Sequence, residues 1–83
     1  MSSDKQVTVF VNGTPKPVTK SELSFEQVVE LGFPNPFSNP NIIYTVAYRR
    51  GHGDKPAGTM SKGGEPVKVK DGMIFDVTPT DQS

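Results

Sequence analysis

Apolar and polar residues alternate most clearly over residues 42–48, whose sequence is Ile-Ile-Tyr-Thr-Val-Ala-Tyr. β-Branched and aromatic residues at this density favour a strand. Every second position carries a large apolar side chain, and these positions are Ile42, Tyr44, Val46 and Tyr48. The period of two predicts a strand with one face in a core. Such a strand needs partners on both edges, which the other apolar stretches can supply.

A hairpin is predicted near the N-terminus. Valines alternate with other residues over positions 7–11, and Asn12-Gly13 follows them. This residue pair tolerates the two positive φ angles of a type I′ turn, so the chain is expected to double back through residues 15–20. The two prolines of the returning segment lack N–H donors, which suits a strand at the edge of the sheet.

One short helix is predicted from Ser24 to Leu31. Ser24 is followed three residues later by Gln27, the spacing of a capping box, and the apolar residues of the segment fall on one helical face. Gly32 is expected to end the helix in a left-handed conformation, and the two prolines that follow forbid its continuation. The aromatic residues beside these prolines are expected to pack the helix end into the core, and they are Phe33 and Phe37.

The C-terminal half is predicted to contain a long loop and two further strands. Residues 49–64 hold five glycines and one proline, and within them a short strand or a single turn is expected to bury Met60. Residues 66–70 alternate cleanly, Asp71-Gly72 suits a hairpin turn, and residues 73–78 read as the last strand. Pro79 cannot donate a ladder N–H and is expected to end that strand.

The order of these elements predicts the α+β class. A hairpin, a helix, a strand, a long loop and two strands match neither strict strand and helix alternation nor an all-β meander. A single helix can cover one face of a mixed sheet of four to five strands and leaves the other face open. One domain is expected over residues 6–78, between a loose N-terminus at residues 1–5 and a flexible C-terminal tail at residues 79–83.

Composition narrows the range of functions. Nine basic residues balance nine acidic ones, so the charge does not favour nucleic acid or an anionic membrane as partner. Cysteine is absent and the single histidine, His52, lies in the glycine-rich loop. We therefore expect no enzyme activity, metal site or cofactor. The chain shows no signal peptide pattern and no long apolar run, which predicts a cytoplasmic protein.

Four stretches together resemble the bacterial multi-ubiquitin family. They are Val-Phe-Val-Asn-Gly at 9–13, Ser-Phe-Glu-Gln-Val-Val at 24–29, Tyr-Thr-Val-Ala-Tyr-Arg at 44–49, and residues 63–78 with the pattern Val-x-Val-x-x-Gly-Met-x-Phe-x-Val. The similarity covers most of the chain, from about residue 6 to residue 83. It implies the β-grasp fold of ubiquitin, with the first and last strands paired in parallel at the sheet centre.

The resemblance also implies a function. It points to a ubiquitin-like protein modifier of bacterial operons that encode E1-like, E2-like and deconjugating peptidase proteins, and some of these operons act in antiphage defence. A conjugating member would have its C-terminal carboxyl adenylated by the E1-like enzyme and passed through the E2-like enzyme to a target. This chain departs from ubiquitin because it ends without a di-glycine. Either the machinery accepts a terminal serine, or the domain self-associates or acts as a scaffold without being conjugated.

Two candidate sites follow from these expectations. The conjugation tail comprises Thr80, Asp81, Gln82 and Ser83, with the Ser83 carboxylate as the reacting group. The second site is a small apolar patch on the open face of the sheet, formed by Phe10, Ile43, Ala47 and Ile74. The patch would dock the conjugating enzymes or a second copy of the domain, although scattered apolar residues also occur on plain sheet surfaces.

Overall fold

A computed structural model describes residues 5–51, 53 and 56–81. Within these residues the elements follow in the order β1 (Gln6–Val11), β2 (Thr14–Thr19), β3 (Glu22–Leu23), α1 (Phe25–Gly32), β4 (Ile42–Arg49), β5 (Gly58–Met60), β6 (Val67–Lys68) and β7 (Ile74–Asp81). Five strands form one sheet in the order β2-β1-β7-β4-β5, and β3 pairs with β6 in a second sheet. The helix packs on one face of the large sheet. The predicted α+β class is confirmed.

The first and last strands lie side by side in the interior of the large sheet. β1 runs parallel to β7, with Phe10 beside Ile74 and Val11 beside Phe75. β2 is antiparallel to β1 on its other edge, and β4 is antiparallel to β7 on its other edge. The parallel pairing expected from the family resemblance is therefore confirmed.

The core lies between α1 and the large sheet. The side chains without exposed surface in it include Val9, Val28, Val29, Val46 and Phe75. Successive residues of a strand point to opposite faces, so the inward valines of β1 meet the inward residues of β7 and β4. Met60 is buried as predicted, and its short strand β5 pairs with β4.

The N-terminal hairpin has the predicted turn. Asn12 and Gly13 both have positive φ angles, 53° and 84°. β2 is the outermost strand on this side of the sheet. Its prolines, Pro15 and Pro17, lie opposite Phe10 and Thr8, whose own backbone groups bond toward β7. The prolines therefore remove no hydrogen bond between β1 and β2.

The helix begins as predicted but ends differently. The Ser24 hydroxyl accepts the N–H of Gln27 at 3.2 Å, and the Gln27 side chain accepts the N–H of Ser24 at 2.8 Å, which completes a capping box. The predicted left-handed conformation of Gly32 is wrong. Gly32 is the last helical residue, and the C-cap Phe33 is extended. A Cβ on Gly32 would lie 3.0 Å from the Cγ1 of Val11, so this glycine permits close packing of α1 on β1.

The two phenylalanines after the helix have different environments. Phe33 is partly buried against the core, as predicted, and its ring lies 5.6 Å from that of Tyr44. Phe37 is 41% exposed, so its predicted place in the core is wrong. The centroid of the Phe37 ring lies 6.4 Å from that of Phe25 and 5.8 Å from that of Tyr44. Phe37 is therefore on the outside of this aromatic cluster.

The predicted hairpin through Asp71-Gly72 is wrong, because β6 pairs with β3 and not with β7. Both edges of β7 are occupied by β1 and β4, so β7 has no edge left for β6. Asp71 and Gly72 still form a turn, in which Gly72 has a φ of 86°. Its N–H donates to the Thr8 carbonyl at 2.7 Å, and Asp71 Oδ1 accepts the Thr8 N–H at 2.9 Å. These two hydrogen bonds connect the turn that precedes β7 to β1.

The last strand continues to Asp81, so the predicted end of the strand at Pro79 is wrong. Its hydrogen bonds show how a proline is accommodated. The N–H of Asn12 donates to the carbonyl of Phe75, and the N–H of Val77 donates to the Asn12 side chain. Odd-numbered residues of β7 therefore direct their backbone groups toward β1, and even-numbered residues direct theirs toward β4.

Pro79 is an odd-numbered residue of β7, so its missing N–H would face the β1 side. β1 ends at Val11, well before this point of the ladder. On the other side Pro79 lies opposite Tyr44 in a pair that exchanges no hydrogen bonds. The proline consequently removes no bond between β7 and β4, and strand pairing continues past it.

Candidate functional site

Three of the four predicted patch residues lie together on the open face of the large sheet. Phe10 and Ile74 are direct neighbours across the β1 and β7 pair. Ala47 lies opposite Asp76 and is therefore a diagonal neighbour of Ile74. All three side chains are half-buried. They form a small apolar surface, called here the open-face patch, defined by Phe10, Ala47 and Ile74.

An ion pair borders the open-face patch. Arg49 lies opposite Ile74, and its Nη1 is 2.6 Å from Oδ2 of Asp76. Both side chains are about half exposed, so water screens the pair and its contribution to stability is small, on the order of 0–1 kcal/mol. Its position beside apolar side chains gives the patch a polar rim with one donor and one acceptor group.

Ile43 is separated from the other predicted patch residues. It lies opposite Thr80, four residues along β4 from Ala47. At a rise of roughly 3.3 Å per residue this separation is about 13 Å. Ile43 points to the same face as Ala47 but stands alone, with 46% of its surface exposed. A docking role for any of the four residues stays a prediction.

The predicted conjugation tail divides into two parts. Thr80 and Asp81 belong to β7 and lie opposite Ile43 and Ile42 in the ladder with β4. Gln82 and Ser83 lie outside the described residues, as do residues 1–4 of the predicted loose N-terminus. Residues 79–81 are therefore held as strand, whereas the role of the tail in conjugation stays a prediction.

Asn12 has a second role that the sequence did not reveal. Its side chain donates from Nδ2 to the Val77 carbonyl at 3.1 Å and accepts the Val77 N–H through Oδ1 at 2.8 Å. At this point β1 has already ended. The side-chain amide of Asn12 thus makes the two hydrogen bonds to β7 that a strand residue would make. Asparagine is expected in a type I′ turn in any case, so no further sequence signal marks this contact.

No group of three or more His, Asp or Glu side chains that could hold a metal ion occurs among residues 5–51, 53 and 56–81. His52, expected to be a solvated loop residue, lies outside them. Over the same residues, no helix is long and apolar enough to cross a membrane.

The mixed sheet, with its parallel interior pair and one helix across one face, is the β-grasp fold of ubiquitin-like domains. The Multiubiquitin family model matches residues 7–81, which is nearly the whole chain. The chain therefore belongs to the Multiubiquitin family. Searches of curated proteins and of solved structures found no significant match.

Proposed function

We propose that this ubiquitin-like domain is a protein modifier whose C-terminal segment supplies the acyl group in a conjugation pathway. Membership of the Multiubiquitin family supports this role. The observation that carries it is the position of β7. This strand lies between β1 and β4 and leads directly to the C-terminal segment, so a rigid sheet holds the base of the reacting arm. The proposed partners are an E1-like adenylating enzyme, an E2-like enzyme and a deconjugating peptidase.

The reaction proceeds by carboxyl activation. A carboxylate oxygen of the modifier attacks the α-phosphate of ATP, the bond to the β-phosphate breaks, and pyrophosphate leaves. An enzyme thiolate attacks the resulting acyl adenylate and releases AMP, after which a nucleophile of the target attacks the acyl carbon and releases the thiolate. The modifier contains no cysteine, so the thiolates belong to the enzymes.

The pairing of Thr80 and Asp81 limits the reach of a donor at Ser83. Any two residues that follow Asp81 span at most about 7 Å when fully extended. We therefore expect the last rungs between β7 and β4 to open when the arm enters an adenylating pocket. These rungs lie at the end of a ladder, where strand pairs fray most readily. Opening the last two rungs roughly doubles the free length of the arm.

The intact mass of the domain after incubation with the E1-like protein of its operon and ATP tests the proposal. Deletion of Gln82 and Ser83, or extension beyond Ser83 by an uncleavable residue, is expected to abolish adduct formation without changing the fold. Deletion of residues 1–4 is the matched control and is expected to leave the adduct intact. An adduct that survives both C-terminal changes would show that this terminus is not the donor.

A second candidate function is non-covalent scaffolding through the open-face patch, or self-association through it. The specific observation in its favour is the pairing of β7 as far as Asp81, which holds part of the expected tail in the sheet. The double substitution Phe10→Ser and Ile74→Ser is expected to weaken association, measured by analytical ultracentrifugation and by binding to the E1-like protein. Loss of association in a domain that forms no adduct with the E1-like protein would favour scaffolding, and unchanged association would exclude the patch.

A further inference from the structure

A groove of about 490 Å³ lies beside the outer edge of β4. β5 pairs with β4 only from Val46 to Tyr48, so the preceding part of β4 has no strand beside it within the described residues. Phe25 and Phe37 line the groove on the helix side, and Lys62 lies at its rim. The groove thus lies in line with β5, along the part of the β4 edge that has no paired strand.

The unpaired edge offers main-chain hydrogen bonds. Odd-numbered residues of β4 direct their backbone groups to β7, so Ile42 and Tyr44 direct theirs to the groove. The Ile42 N–H donates to the Asn39 carbonyl at 3.2 Å. The N–H and carbonyl of Tyr44 and the carbonyl of Ile42 have no protein partner among the residues that the structure describes. These three groups match the backbone of one added strand.

Exposed apolar side chains flank the same edge on its two faces. Within the described part of the chain, the large apolar residues with the greatest exposure are Phe37 at 41% and Ile43 at 46%, and both line the groove. Phe37 lies on the helix side against Tyr44, whereas Ile43 points to the open face. Side chains of an added strand alternate between the faces, so one strand would cover both residues.

Charge indicates the chemistry of the occupant. The Nζ of Lys62 lies 5.7 Å from the centroid of the Phe37 ring. The ion pair found among the described residues joins Arg49 to Asp76, which leaves Lys62 without a carboxylate partner there. An acidic residue in the occupant would supply one. A second copy of the chain fits less well, because two-fold pairing of this edge would bring two Lys62 side chains to one interface.

We propose that the unpaired edge of β4 is a peptide-binding site that adds an extended, acidic and aliphatic segment of a partner protein to the sheet. The segment lies antiparallel to β4, in line with β5, and exchanges two backbone hydrogen bonds with Tyr44. Successive aliphatic side chains of the segment point to opposite faces and contact Phe37 and Ile43. An acidic side chain contacts Lys62. This site is separate from the open-face patch and does not depend on the conjugation reaction.

The probe is a fluorescein-labelled peptide Asp-Ile-Val-Ile-Asp with blocked ends, titrated against the full chain by fluorescence anisotropy. Ile43→Ser and Phe37→Ser are each expected to weaken binding about tenfold, and Lys62→Glu about fivefold. Ile74→Ser, which removes an aliphatic side chain from the open-face patch, is the matched control and is expected to leave binding unchanged. Thermal melts of each variant separate loss of binding from loss of fold.

Two further readouts identify strand addition itself. N-methylation of the central peptide valine removes its backbone N–H and is expected to abolish binding. Hydrogen exchange followed by NMR is expected to show a fast Tyr44 amide in the free protein that becomes protected with the peptide. No peptide binding, or binding insensitive to N-methylation, would overturn the proposal. Protection of Tyr44 that rises with protein concentration alone would overturn it in favour of a second copy.

Discussion

Phe75 and Ile74 are consecutive residues of β7 but lie on opposite faces of the large sheet. Phe75 is fully buried beneath α1, whereas Ile74 is half-exposed beside Phe10. The covered face collects the fully buried valines and holds the domain together through packing. The open face carries a few apolar side chains and an exposed ion pair, which contribute little to folding. Substitutions on the open face can therefore change recognition without changing the fold.

The strongest test of this comparison is Phe75→Ala. The substitution removes a fully buried aromatic side chain and is expected to lower the free energy of unfolding by about 3–5 kcal/mol. Ile74→Ala on the other face is the matched control, with an expected loss of about 1 kcal/mol. Urea denaturation followed by circular dichroism measures both. Equal losses would show that the two faces do not differ in their contribution to stability.

A second test adds a side chain to the covered face. Gly58 lies opposite Tyr48, and a Cβ at this position would be 2.8 Å from the buried tyrosine's Oη. Gly58→Ala is therefore expected to destabilise the domain by about 1–3 kcal/mol through overpacking. Gly53→Ala, where a Cβ meets no atom within 4 Å, is the control and is expected to be nearly neutral. A neutral Gly58→Ala in thermal melts would contradict the observed packing.

A third test examines the end of the β1 and β7 pair. Asn12→Gly keeps a residue that tolerates positive φ but removes both hydrogen bonds to Val77, so we expect a loss of about 1–2 kcal/mol. The amide of Val77 is expected to exchange faster with solvent in this variant. Gly13, the other residue of the turn, makes no such side-chain contact. Unchanged exchange at Val77 would show that the Asn12 side chain does not hold β7.

The smallest effect is expected at the ion pair of the open face. A double-mutant cycle with Arg49→Ala and Asp76→Ala is expected to give a coupling energy below about 1 kcal/mol. This coupling is expected to shrink as salt is added, because both side chains are exposed. Chemical denaturation at low and high ionic strength measures it. A coupling above 2 kcal/mol that is independent of salt would mean that the open face also stabilises the fold.

Local chemistry explains which elements the sequence predicted well. The turn at Asn12-Gly13 depends on two residues that tolerate positive φ, and the start of the helix depends on Ser24 and Gln27, three positions apart. Alternation in β1, β4 and β7 identified their inward faces, since burial on one side of a strand leaves a period of two. In the candidate site, the same alternation placed Phe10, Ala47 and Ile74 on the open face.

The predictions that are wrong have a different cause, because they concern which segments of the chain contact each other. Alternation in residues 66–70 predicts pairing with the last strand, but β1 and β4 occupy both of its edges. Phe37 has an apolar side chain suited to the core, but Phe25 and Tyr44 lie beneath it and leave it exposed. Ile43 faces the expected side of the sheet, but the register between β4 and β7 places Ala47, and not Ile43, beside Ile74.

By itself, the sequence determined the turns, the helix cap, the inward face of each long strand and the family, because these properties depend on residues close together in the chain or on matched motifs. Tertiary structure decided the partner of β6, the passage of β7 through Pro79, the contact of Asn12 with Val77 and the unpaired edge of β4. Each of these depends on which strand edge is already occupied. Competition for a strand edge involves segments far apart in the chain, and no local pattern records its outcome.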